Sequence, residues 1–180
     1  MKINEAITMT QPQASAAREA HLKFMGIPIC GSLDLFVDAL VGKGFKVSKW
    51  SQNSVSLYGN YGGYRGHFFK GAQARACVSD LGEVCRIEVS FRSQIPEVYR
   101  KYLLLKAYLR DRYGDPETAH FVEDRHTMSH CHFSVFNLEA GVIMLSLEYG
   151  MPWLNGCSEP IVRIEYTDKA GYFEPAAAED

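Results

Sequence analysis

Cys85-Arg86-Ile87-Glu88-Val89-Ser90-Phe91 alternates with a period of two: Ile87, Val89 and Phe91 fall on one face, Arg86, Glu88 and Ser90 on the other. This is the pattern of a strand with one face in a core and one in water. Its tripeptide Arg86-Ile87-Glu88 recurs 77 residues later as Arg163-Ile164-Glu165, within Ile161-Val162-Arg163-Ile164-Glu165-Tyr166. Each copy closes a block that runs from an amphipathic helix into several strands, so the chain reads as two related units.

Upstream of the first copy, Ser32 stands as an N-cap before Leu33, Phe36, Val37, Leu40 and Val41 at helical spacing, with Gly42 and Gly44 as stop signals. Short strands are predicted at 45–47, 54–58, 66–69 and 74–78, separated by turn signals at Gln52-Asn53, Gly62-Gly63 and Asp80-Leu81-Gly82. A strand is also expected over 21–29, kept at an edge or an end by Pro28. In the second block, Pro96 opens a helix whose Val98, Tyr102, Leu105, Leu109 and Tyr113 share a face before Gly114 and Pro116 end it. Strands follow at 132–138 and 142–149 across Glu139-Ala140-Gly141. An antiparallel sheet with one apolar face needs a cover, and the two helices are the elements able to supply it. The expected class is therefore α+β: two tandem α-then-antiparallel-β units, 21–95 and 96–168, form a two-layer sandwich with helices on one face of the sheet. Ile87, Val89, Ile164 and Tyr166 should lie under the helices, and Arg86, Glu88, Arg163 and Glu165 on the open side. Residues 1–20 and 169–180 are polar or alanine-rich and are expected to be loose.

The opening Phe24-Met25-Gly26-Ile27-Pro28-Ile29-Cys30-Gly31-Ser32-Leu33 resembles a group of small domain-of-unknown-function proteins from Bacteroides-type gut bacteria, which have a Gly-Ile-Pro followed by a Gly-Thr or Gly-Ser helix start. The resemblance covers residues 21 to about 168 and carries no catalytic residues with it. The tandem helix-plus-sheet order also resembles β-lactamase-inhibitor proteins, whose concave sheet grips a partner. That likeness is topological, and topology does not carry function.

With 180 residues, 47% of them apolar, the chain can bury a proper core. A formal charge of −2, with no basic run, excludes the electrostatic footprint of non-specific nucleic-acid binding. No apolar stretch approaches the roughly 20 residues a membrane helix needs. The N-terminus lacks the apolar core of a secretory signal, which points to the cytoplasm for the chain as written and to export if a signal was trimmed or the start is misplaced. Five cysteines without a C-x-x-C pair fit neither a disulfide framework nor a zinc ribbon. Reduced thiols are expected, with Cys77 and Cys85 able to meet across a hairpin only in an exported protein.

Histidine is the compositional anomaly: His120, His126, His130 and His132 fall within 13 residues, beside Glu123, Asp124 and Cys131. Imidazole, thiolate and carboxylate suit zinc, so His126, His130 and His132 are the candidate metal ligands, and a metal-binding protein or metal-dependent hydrolase is the alternative function. The bland account is a solvated polar loop. Cys131 is a poor partner for His130 or His132, because adjacent strand residues point to opposite faces. Glu88 and Glu165 occupy equivalent positions, but each follows an Arg by two residues, and cross-strand ion pairs are the simpler account. The run Gly59-Asn60-Tyr61-Gly62-Gly63-Tyr64-Arg65-Gly66 lacks a phosphate loop's Lys-Ser/Thr and reads as a wide turn exposing Tyr61 and Tyr64. Tyr149 and Trp153 mark a second aromatic loop, and loop aromatics either form hot spots or fold back as lids. The sequence thus favours a non-enzymatic binding module without a cofactor. Its protein partner would meet Tyr61, Tyr64, Arg86, Glu88, Tyr149, Trp153, Arg163 and Glu165. A homo-oligomer is the third expectation.

Overall fold

The computed structural model describes residues 21–64, 67–124, 129–150 and 159–169. A small hairpin of β1 (Lys23–Phe24) and β2 (Ile27–Pro28) precedes α1 (Leu33–Gly42). Four strands follow: β3 (Lys46–Ser51), β4 (Ser54–Tyr64), β5 (His67–Val78) and β6 (Val84–Arg92). Then come α2 (Ile95–Tyr113), β7 (Thr118–Asp124), β8 (Ser129–Leu138), β9 (Gly141–Gly150) and β10 (Ile161–Asp168). The strands from β3 onward make one eight-stranded antiparallel sheet in the order β3-β4-β5-β6-β10-β9-β8-β7. The class is α+β, as the alternation and helix patterns predict.

Both helices lie on one face. Phe36, Val37 and Leu40 of α1 are buried, and α1 packs on β3, β4 and β5. Val98, Tyr102, Leu105 and Leu109 of α2 are buried against β8, β9 and β10. Each such side chain contributes roughly 1.5–3 kcal/mol by leaving water. Ile87, Val89, Ile164 and Tyr166 are buried beneath them within one continuous core. Val41, grouped with the buried face of α1 by spacing, is instead exposed. Ser32 starts α1 with an extended backbone and accepts the Phe36 N–H at 3.2 Å through its carbonyl; its hydroxyl makes no cap bond.

Four segments depart from the sequence expectation. The strand expected over 21–29 is a two-residue turn between β1 and β2, with Met25 at φ 50° and Gly26 at φ 83°. Two left-handed residues in succession are the turn that matches strand twist. The strands predicted at 66–69 and 74–78 are one strand, β5. The glycine-rich run is not a wide turn: β4 continues through it to Tyr64, with irregularities at 59/61 and 62/64. Glycine is needed at 59 for another reason, since a β-carbon there would lie 2.9 Å from the Phe45 ring. Finally, the polar stretch after α2 contains β7, which pairs with β8 from Thr118↔Val135 to Asp124↔Ser129. Cross-strand pairing overrides its weak strand composition.

The fold closes on itself through Asp168, a fully buried carboxylate that accepts the Leu22 N–H at 2.6 Å and lies 3.2 Å from His21 Nδ1. Among the described residues no helix is long and apolar enough to cross a membrane.

Candidate functional site

The face opposite the helices is built from the alternate residues of each strand, and the register fixes which of them line up. One row crosses the sheet as Lys49, Ser56, Arg75, Glu88, Glu165, Met144 and Val135. Glu88 stands directly opposite Glu165 at the centre. Like charges in direct opposition destabilise a strand pair unless cations offset them. Arg163 Nε lies 3.0 Å from Glu88, although its N–H direction misses the carboxylate and the contact is electrostatic. Arg163 Nη1 donates to Glu148 at 2.7 Å. Arg86 Nη1 approaches Glu165 at 3.9 Å, and the Thr167 hydroxyl donates to the same carboxylate at 3.1 Å. The four residues Arg86, Glu88, Arg163 and Glu165 are thus brought together as cross-strand ion pairs. These carboxylates are compensated by cations rather than set as an acid–base pair.

On the β3–β6 side of this strip the face dips into an open depression of about 610 Å³, lined by Lys49, Arg75, Arg92 and Arg163 with Tyr58 and Ser90 among others. Arg75 donates through Nε and Nη2 to the Ser54 hydroxyl, both at 3.2 Å. Glu88 is the carboxylate in that lining, and Arg163 already compensates it. On the β8–β9 side the same face changes character. Cys131, Phe133, Val135, Val142 and Met144 alternate onto it, all half-buried. Burial first, and then the Glu148 carboxylate, push the Cys131 thiol above its ordinary value, so it stays protonated at neutral pH and is a poor nucleophile. Neither Arg75 and Arg92 nor this apolar group was singled out from sequence. The Ala74-Arg75-Ala76-Cys77 alternation carried the first signal; Val142-Ile143-Met144-Leu145, apolar on both faces, hid the second.

His132 lies on the helix side, stacked on Tyr149 at 6.0 Å and 20°, with Tyr102 at 6.1 Å and Tyr99 at 6.4 Å. Its Nε2 is 3.4 Å from the Tyr149 hydroxyl. The ring contacts described for this imidazole are with phenols. His126 and the side chain of His130 lie outside the described residues, and among the described residues no three His, Cys, Asp or Glu side chains converge as a metal site. Cys131 and His132 occupy opposite faces, as alternation requires. Cys77 and Cys85 are free: Cys77 pairs in register with Arg86, which assigns Cys85 to the other face, and the Cys85 thiol donates to the Cys77 carbonyl at 3.7 Å.

Two aromatic expectations are corrected. Tyr61 is 2% exposed, not a surface ring, and its hydroxyl meets that of Tyr166 at 2.6 Å beneath the helices. It stacks on Phe24 at 5.6 Å, because β4 alternates without a break from buried Val55 and Leu57 to Tyr61, and the extra residue of the irregularity after Gly59 lies on β5. Tyr149 is a half-buried strand residue, not part of a loop. The Tyr64 side chain and Trp153 lie outside the described residues.

No known protein family, curated protein or solved structure matches this chain.

Proposed function

We propose that the chain is a non-enzymatic binding module that contacts a protein partner through the open face of its sheet. The observation that carries this reading is the contrast across the sheet: both helices pack on one face, while the other presents a compensated ion-pair strip between a cationic depression and an apolar patch. Mixed polar and apolar surfaces of this kind suit protein recognition. In the same reading, 21–95 and 96–168 are duplicated units, related about the point where Glu88 and Glu165 meet.

The test is capture of partners from a protein array by the biotinylated full chain, with Glu165→Arg on the open face and Leu103→Lys on the exposed side of α2 as variants. The expected result is a specific signal that Glu165→Arg removes and Leu103→Lys keeps. Loss on Leu103→Lys alone would move the contact to the helix layer, and an array without any signal would remove the binding reading.

A further inference from the structure

The chemistry of the open face narrows what it can hold, provided that face is the contact surface proposed above. Its charge is not spread evenly. Lys49, Arg75 and Arg92 line the depression, and none of the three has an ion-pair partner among the described residues, whereas the carboxylates Glu88, Glu165 and Glu148 gather on β6, β10 and β9 around Arg163 and Arg86. A continuous polyanion such as a nucleic-acid backbone would meet the first group and then be repelled by the second. Beyond the strip, Phe133, Val135 and Met144 offer apolar contact and no charge. Carboxylates and apolar side chains at opposite ends of one ligand describe a polypeptide.

We infer that the open face receives an extended protein segment laid across the strands, with Asp or Glu side chains in the Lys49–Arg75–Arg92 depression and Leu, Phe or Met side chains against Phe133, Val135 and Met144. The row fixes the spacing. Arg75 and Met144 sit on β5 and β9, separated by the two central strands β6 and β10. Three inter-strand steps of about 4.8 Å make roughly 14 Å, or about four residues of extended chain. From Lys49 on β3 to Val135 on β8, the same arithmetic gives a segment of roughly nine residues. Such a ligand adds no strand to the sheet; it is read by side chains alone.

Selection from a phage-displayed library of random peptides, about 12 residues long to exceed that span, tests this on the full chain. The expected outcome is enrichment of peptides with an acidic residue about four positions from a large apolar one. A synthetic representative should bind about tenfold more weakly to Arg75→Gln/Arg92→Gln. Lys49→Gln/Arg92→Gln repeats the test without touching the Arg75–Ser54 bond, in case loss of that bond unfolds the first variant. Enriched peptides without acidic residues, or affinity unchanged in both variants, overturn the inference and leave the binding module standing. A thymidine oligonucleotide that binds more tightly than the peptide and competes with it at Arg92 overturns it as well. An empty selection beside a positive protein array overturns the inference alone; both empty, the binding reading falls with it.

Discussion

The row Leu57–Ala74–Val89–Ile164–Leu145 crosses the covered face from one half of the sheet to the other, and the row Ser56–Arg75–Glu88–Glu165–Met144 crosses the open face beside it. On the covered side two strands differ in size: Ala72, Ala74 and Ala76 lie on β5 under α1, where β9 supplies Ile143, Leu145 and Leu147 near α2. On the open side the halves differ in kind, cationic over β3–β5 and apolar over β8–β9. Packing holds these covered positions to apolar residues of the right volume, so divergence between the two rows of side chains is a trade in methyl groups. The open side is under no such constraint, and its chemistry can be set by a ligand.

Disruption costs most on the covered side. Leu145 is fully buried, and Leu145→Ala should cost about 2–5 kcal/mol in urea unfolding. Because the core is continuous, amides of β5 and β9 should lose hydrogen-exchange protection together. Loss confined to β7–β10 would instead mean that the two halves have separate cores.

The next effect lies at the join. Tyr61 and Tyr166 bond across the halves, and Tyr166→Phe leaves a buried hydroxyl without its partner, at a cost of about 1–3 kcal/mol. The double change to Phe should cost less than the two single changes summed. Burial raises both phenols above the ordinary value of about 10, Tyr166 despite the opposing bond from Tyr61. The folded state therefore holds protons that the unfolded chain releases. Stability should be intact below pH 10 and fall as pH rises past it, and the double Phe variant should flatten that fall. An alkaline unfolding profile identical in the variant would contradict this account.

The smallest effect belongs to the open face. Arg163→Ala removes the cation between Glu88 and Glu148, yet these side chains are 30–40% exposed, so the loss should stay below about 1 kcal/mol and shrink with added salt. A loss above about 3 kcal/mol would mean that the strip is a buried network holding the fold together.

The legible parts of the sequence were those where one local rule sufficed. Alternation in 85–91 and 161–166 assigned both faces of the central strands, and helical spacing located α1 and α2 to within a residue or two. Reading failed where two rules overlap. Glycine serves both turns and strands that pass close to a bulky ring, so Gly59 concealed β4 and sent Tyr61 to the surface. The polar residues of β7 suited a loop until β8 supplied hydrogen-bond partners. The partner-binding residues expected at Arg86, Glu88, Arg163 and Glu165 came from the central strip; the cations and apolar side chains beside it become neighbours only through a register spanning β3 to β8.

Asp168 clasps His21 and Leu22, so the described fold begins and ends at the same place. Mechanically the chain is a ring with one clasp. A circular permutant joined across that clasp and opened near Gly114, between α2 and β7, would keep every strand neighbour. Tension applied at residues 21 and 168 would load a buried carboxylate at the very end of β10.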